Sequence, residues 1–293
     1  MLEHVVAPLA VERISRATQP TAAFVEPWVL QDATQVVGYL DIARAYGRAD
    51  VPLIRSAEGD TSVELSVRAL GGLLDAGESC VRILLAQSEG DRNATLPPLA
   101  KVDHLAQVPC DEHFGLTHLH ANAAVDGLAL LSWLLSPGEL ALLVLTHQQV
   151  VARDGAAGPQ LPTGDGSVGL RVRAGHGPIE LAATGHAVWP REAFASRAVF
   201  ERELAADLER IRGAGFGWTG DHVIVQNLFG AQDGAEWCVD VDFACGDVWH
   251  RLDERLRAGE IGAGDRVLIV ATGGLRRVSY ALLDVMALPE AAR

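Results

Sequence analysis

Ser132 to His147 reads SWLLSPGELALLVLTH, and Arg255 to Gly274 reads RLRAGEIGAGDRVLIVATGG. Each stretch carries the end of a helix-like pattern, a short polar link and a strand that is apolar on both faces. A strand of that kind fits a parallel sheet covered by helices on both sides. Working outward from the first stretch, Asn122 to Leu135 has helical character and is stopped by Ser136-Pro137-Gly138. Ahead of it, Phe114 to His120 reads as a strand of alternating character. Strand, helix, strand in that order is the signature of a parallel crossover. Further upstream, Thr61-Ser62 followed by Glu64 marks a helix start, and Val63, Val67, Leu70, Leu73 and Leu74 keep near-helical spacing up to Gly77. The buried strand Val81 to Ala86 follows.

Outward from the second stretch the same order returns. A helix from Ala198 to Ile211 leads through Gly213 to Gly220 into the strand His222 to Gln226. A helix from Val248 to Arg257 leads through Gly259 to Gly264 into the strand Arg266 to Ala271. Between the two sets lies a Gly/Pro-rich stretch, Gly155 to Gly177, with a short strand, Val168 to Val172, after a turn at Gly164-Asp165-Gly166. Two similar halves, 1–175 and 176–293, are expected, because a strand-helix layer buries one side and a second copy can cover it. Pro97 to Glu112 reads as loop. In the first sixty residues Pro20, Pro27 and Pro52 interrupt weak periodicity, no glycine-rich phosphate loop occurs, and no site is assigned.

Composition bounds the function. The chain has 293 residues, 49% hydrophobic and 21% charged, enough apolar content for a large interior. Its formal charge of −14 removes the electrostatic footprint of a general nucleic-acid or anionic-membrane binder. Apolar runs fall short of the ~20 residues of a spanning helix, and the N-terminus lacks a basic stretch followed by an apolar one, so a soluble cytoplasmic chain is expected. Cys80, Cys110, Cys238 and Cys245 form no CxxC pair and are expected to be reduced thiols. Lys101 is the only lysine, which confines Schiff-base chemistry to one loop position.

The order and spacing of several segments resemble a thiolase-fold condensing enzyme, the 3-oxoacyl-[acyl carrier protein] synthase III group in particular. The strand-to-helix junction at His120 sits where that group has its own, and PTGDGSVGL (162–170) resembles its GDGAGA run. RLDERLRAGEIGAGDRVLIV (251–270) resembles its penultimate helix and strand, and ATGGLRRVSYALLDV (271–285) its glycine-rich closing hairpin. The likeness covers the chain from Thr61 onward. It implies an α/β fold of five αβαβα layers in two duplicated halves, usually a tight dimer. The implied reaction is acyl transfer from a thioester onto a cysteine, then decarboxylative Claisen condensation. A thiolate at a helix N-terminus is a stabilised nucleophile, and His and Asn donors steady the oxyanion.

Matching the segments places three different groups at the family's working positions. An ungapped match through LALLVLT (140–146) puts His120 at the nucleophilic cysteine. DHVIVQN (221–227) puts Gln226 at the catalytic histidine, and the backward match from RLDERLRAGEI puts Asp242 at the catalytic asparagine. The closing hairpin departs too, with Leu275 after Gly273-Gly274 where the family usually has a third glycine. Imidazole forms only labile acyl adducts, glutamine cannot shuttle protons, and an ionised aspartate opposes a developing oxyanion, so the standard condensation is expected to fail. Cys110 and Cys245 lie near these segments without occupying the helix start, and buried inert thiols are the simpler reading.

His118 and His120 lie two apart on the expected strand and so share a face, with His147 ending the neighbouring strand. Scattered strand-end histidines are the plainer account, and no metal is expected. His120 is either a hydrogen-bonded residue filling a former catalytic pocket or a neutral general base paired with Asp242, with Gln226 donating to a carbonyl. His118, Arg276 and Arg277 are candidate substrate-binding residues, the arginines either facing a coenzyme A or phosphopantetheine phosphate or forming a solvated turn. No bound cofactor is expected; acyl-CoA or a phosphopantetheinyl carrier protein is the expected substrate or ligand. Three functions remain. The first is a Cys-less subunit partnering an active condensing enzyme in polyketide or fatty-acid-type biosynthesis. The second is a stand-alone acyltransferase, thioesterase or decarboxylase with a surface pocket reaching His120. The third is a binding or carrier-docking protein. The partner is accordingly a second copy or a related active subunit.

Overall fold

The computed structural model describes residues 2–5, 8–20, 24, 25, 54, 55, 60–87, 98–117, 119–148, 164–226, 238, 239, 244–273 and 276–291. The strands are β1 (Leu2–His4), β2 (Leu9–Pro20), β3 (Phe24–Val25), β4 (Ile54–Arg55), β5 (Cys80–Gln87), β6 (Cys110–Leu116), β7 (Leu140–His147), β8 (Gly164–Ala174), β9 (Ile179–Val188), β10 (His222–Gln226), β11 (Cys238–Val239), β12 (Arg266–Thr272), β13 (Arg277–Val285) and β14 (Glu290–Ala291). The helices are α1 (Ser62–Leu70), α2 (Pro98–Ala106), α3 (Ala123–Leu134), α4 (Arg197–Gly213) and α5 (Asp247–Ala258).

The main sheet runs β11-β10-β12-β13-β9-β2-β8-β7-β5-β6, with β1 on β9 and β14 on β2. Read from its two ends inward it says the same thing twice. β6, β5 and β7 are parallel, as are β11, β10 and β12. In each set the third strand is followed by two antiparallel ones, β8 and β2 on one side and β13 and β9 on the other. A short antiparallel pairing of Ala10 with Glu180 and Val11 with Ile179 joins the sets. β3 and β4 pair separately.

Side-chain alternation on these strands builds the layers. On β7, Ala141, Leu143 and Leu145 pack with Ala124, Leu128 and Leu131 of α3. The alternate residues Leu140, Leu142 and Val144 pack with Val63 and Leu70 of α1 and Val102 of α2. On β12, Val267, Ile269 and Ala271 join the same inner cluster as α3, together with Val248, Trp249, Leu252 and Leu256 of α5. Leu268 and Val270 face outward onto Phe200, Leu204 and Ile211 of α4. The order is therefore α1/α2, half-sheet, α3/α5, half-sheet, α4. Trp249 Nε1 donates to the Ala124 carbonyl at 2.9 Å, tying the two central helices together.

Local chemistry explains the ends. α1 starts in a capping box in which Thr61 accepts from the Glu64 backbone and Glu64 from that of Thr61. α5 stops at Gly259, whose φ of 72° closes the helix in the left-handed region. A register shift between Val11 and Arg13 interrupts the β2–β8 pairing. Nearby, buried Arg13 binds Asp75 and Glu290, and buried Arg171 binds Glu12 and Glu78. Both guanidiniums also reach the Leu73 carbonyl.

Four expectations need correction. Pro97 to Glu112 is not loop: Leu99, Val102 and Ala106 put one face of α2 onto the outer cluster, and β6 begins at Cys110. The strand before the central helix is Cys110–Leu116 rather than Phe114 to His120, because pairing with β5 runs from Cys80↔Cys110 to Ala86↔Leu116. His120 is thus off the strand, in a 3-10 turn, and His118 lies outside the described residues. Gly164-Asp165-Gly166 is not a turn but the start of β8, flanked by β2 and β7. The unassigned N-terminus contributes β2, which sits at the centre of the sheet.

Candidate functional site

The heads of the two central helices meet at the middle of the molecule. A 3-10 turn, His120–Asn122, opens α3, and another, Ala244–Gly246, opens α5; the two turns touch. The end of β12 contacts the first turn and β7 contacts the second. In open parallel sheets, ligands gather at such carboxyl ends of strands.

His120 has a φ of 50°, a left-handed conformation that non-glycine residues rarely adopt, and is half-buried. Asn122, two residues on, is 4% exposed. Its Nδ2 donates to the Arg277 carbonyl at 3.4 Å, it makes no side-chain cap bond to α3, and its Oδ1 is buried without a hydrogen-bond partner among the described residues. An orphaned acceptor of this kind is uncommon and marks a place with a ligand, a water or a strained contact. Gly273 packs directly on it: a Cβ there would lie 2.4 Å from Asn122 Nδ2 and 2.6 Å from Cγ.

Gln226 ends β10 and is buried, with Nε2 donating to Asp247 Oδ2 at 3.1 Å. The Gln226 carbonyl accepts from Thr272 Oγ1 at 2.8 Å, which joins β10 to the end of β12. Asp247 is the first residue of α5, where a carboxylate complements the helix dipole. Asp242 and His118 lie outside the described residues, so the expected His120–Asp242 pairing has no geometry to report. His147 is buried at the end of β7. Among the described residues no three His, Cys, Asp or Glu side chains group as metal ligands.

One thiol stands at the second helix head. Cys245 is fully buried in the second turn and its Sγ reaches the Thr146 carbonyl at 3.5 Å. Cys110 starts β6, a strand of about 20 Å that ends before His120 is reached.

The two arginines are both at the start of β13 but differ in what holds them. Arg276, at φ 67°, points its Nε at the Trp189 carbonyl at 2.9 Å. Arg277 pairs with Asp126 at 3.1 Å. Asp126 belongs to the first turn of α3 and also accepts from Ser279 Oγ at 3.0 Å. Burial pushes its carboxyl up, against the pull of Arg277 and Ser279.

Of the residues singled out in the sequence, His120 and Gln226 lie at the two helix heads and Arg276 and Arg277 beside the start of β13; their neighbours Asn122, Asp126, Asp247 and Gly273 are not singled out there. Asn122 and Asp247 had a legible signal, a polar residue at a helix start, which is ordinarily read as a cap. Nothing local announces that Gly273 touches Asn122 from 151 positions away. Chemically the ensemble offers an imidazole at a helix head, a buried amide fixed by a carboxylate, and an acceptor lacking a partner.

No family model matches the chain, and no curated protein matches it in sequence. Solved structures do. The acyltransferase ChlB3 superposes with a TM-score of 0.63 at 15% identity, over 96% of this chain and 98% of that one. The tetronic acid condensing enzyme AbyA1 gives 0.61 at 18% identity, over 94% and 99%. The 3-oxoacyl-[acyl-carrier-protein] synthase III of Aquifex aeolicus gives 0.59 at 13% identity, over 94% and 99%. The chain thus has the thiolase-like α/β fold of these condensing enzymes along nearly its whole length. No helix among the described residues is long and apolar enough to cross a membrane.

Proposed function

We propose that this chain is a Cys-less counterpart of the synthase III-type condensing enzymes, serving as the partner subunit of an active, cysteine-bearing homologue in acyl-thioester biosynthesis of polyketide or fatty-acid type. The single observation that carries the reading is the head of α3: an imidazole stands at the helix start, with φ 50°, while the nearby thiol of Cys245 is sealed against the Thr146 carbonyl. A thiolate there would gain from the helix dipole; a histidine gains no comparable nucleophile. Retention of the full frame without a thiol at the head of α3 supports a packing and docking role. β6 supports it further, since among the described strands it is one of the two ends of the main sheet and has a strand neighbour only in β5. The bound species in this reading is an acyl-CoA or an acyl carrier protein arm, whose phosphate the exposed Arg276 and Arg277 would receive. Co-expression with a cysteine-containing homologue tests it: a stable one-to-one complex is expected, and a self-sufficient homodimer with undiminished turnover of its own contradicts it.

A second reading has its own observation. Non-glycine residues in the left-handed region tend to occur where function holds them there. His120 would then act as base or transient acyl acceptor, with Gln226 and Asp242 in support, in acyl transfer, thioester hydrolysis or decarboxylation. Steady-state turnover of acyl thioesters by wild type and His120→Ala separates the readings, equal rates removing His120 from any chemistry.

A further inference from the structure

Cys80 and Cys110 are the first residues of the neighbouring parallel strands β5 and β6, and they stand opposite each other in register. Paired residues on adjacent strands project to the same face. Both do so here, into the outer cluster under α2, which contains Cys80 and has Cys110 packed against it. The spacing of adjacent strands, about 4.8 Å, lies within the Cα separation a disulfide spans. Both are free thiols. Cys80 is 3% exposed and its Sγ points to the Pro109 carbonyl at 3.7 Å. Cys110 is only half-buried, with Sγ 3.1 Å from the Glu112 carbonyl.

We propose that Cys80 and Cys110 form a reversible cross-strand disulfide, a redox-modification site at the outer edge of the first half-sheet. It uses none of the residues at the helix heads and requires no acyl thioester, although Cys110 belongs to the edge strand β6. The oxidant class is a low-molecular-weight disulfide such as oxidised glutathione. Cys110, the accessible thiol, loses its proton and attacks one sulfur of the small disulfide; a new S–S bond forms, the old one breaks, and the departing thiolate takes up a proton. Cys80 then gives up its proton and attacks the Cys110 sulfur, expelling the second small thiolate, which is protonated in turn. Two protein thiols are oxidised and one small disulfide is reduced to two thiols. Burial, followed by the neighbouring Cys110, pushes the Cys80 thiol up, so Cys80 suits the resolving step rather than the first attack. The link would fasten β6 at its first residue, leaving the far end of that strand to run on toward His120.

The test is intact-protein mass spectrometry of the full chain after incubation with oxidised glutathione, followed by peptide mapping without reduction. Wild type is expected to lose two hydrogens in mass and to yield a Cys80–Cys110 linked peptide, reversed by a dithiol. Cys80→Ser should instead retain a glutathione adduct on Cys110, and Cys110→Ser should give no Cys80-containing cross-link. Circular dichroism of both variants checks that they fold. A lasting glutathione adduct on Cys110 of the wild type, no reaction at all, or a link that uses Cys238 or Cys245 would each overturn the proposal.

Discussion

The two central helices begin in the same way and in different chemistry. Each is preceded by a 3-10 turn, each follows the frame of three parallel strands and two antiparallel ones, and each packs its apolar face into one shared cluster. At the head of α3 stand His120 in a left-handed conformation and Asn122 with an acceptor left unpaired. At the head of α5 stand Gly246 with an ordinary helical backbone and Asp247 bonded to Gln226. The two helices share what layer packing requires, and they differ in the polar residues at their heads, which that packing does not fix. Only the first head carries a non-glycine residue in the left-handed region.

The sharpest way to break that contrast is to crowd the first head. Gly273→Ala places a Cβ within 2.6 Å of Asn122 Nδ2 and Cγ. Such overpacking should cost about 3 kcal/mol of unfolding free energy in denaturant titration. Adding Asn122→Ala should recover more than half of it, because the clash and the orphaned acceptor vanish together; a double variant no more stable than Gly273→Ala would separate the two sites.

The second head should respond to loss of a bond rather than to crowding. Asp247→Ala strips Gln226 of its carboxylate partner and should cost about 2 kcal/mol by the same titration, the penalty of an unsatisfied buried donor. Trp249→Phe, which removes the bond from α5 to the Ala124 carbonyl, should cost about 1 kcal/mol. His120→Gly should do the reverse. Relief of the positive φ should outweigh the lost side chain, raising stability by about 1 kcal/mol. A destabilised His120→Gly would mean that the imidazole anchors the turn instead of straining it.

The smallest effect lies away from the helix heads, at Glu78. Burial raises its carboxyl, but the Asp75 backbone N–H and the Arg171 guanidinium more than offset this and hold it below its ordinary 4.5. A depressed carboxyl stabilises the fold fully above its unfolded value and loses that contribution as pH falls through the folded one. Acid titration of wild type against Glu78→Gln should therefore show a shallower loss of stability below 4.5 in the variant, with the two curves differing most at neutral pH.

Much of the frame was legible in the residues because burial on both faces leaves an unmistakable mark. Leu140 to Thr146 and Arg266 to Ala271 could only be interior strands, and each does lie in the parallel part of the sheet. β2 was illegible for the opposite reason: Glu12, Arg13 and Arg16 interrupt its apolar pattern, and the acidic partners that let Arg13 be buried come from Asp75 and Glu290, far along the chain. α2 hid behind a pair of prolines, since its single buried Val102 and flanking Leu99 and Ala106 make a face only against the outer cluster of α1, β5, β6 and β7. At the site, strand-to-helix order was enough to put His120 at a helix head. The contacts of Asn122 with Gly273 and of Asp126 with Arg277 and Ser279 depend on β12 and β13 folding back over α3, which no local pattern encodes.

The proposed function rests on the resemblance that sets a thiol at the head of α3, where this chain has His120. Intact-mass measurement after exposure to a panel of acyl-CoA thioesters, quenched under conditions that preserve thioesters, addresses it most directly. The account predicts an unmodified chain for every acyl group; a persistent acyl adduct mapped to any cysteine would contradict it.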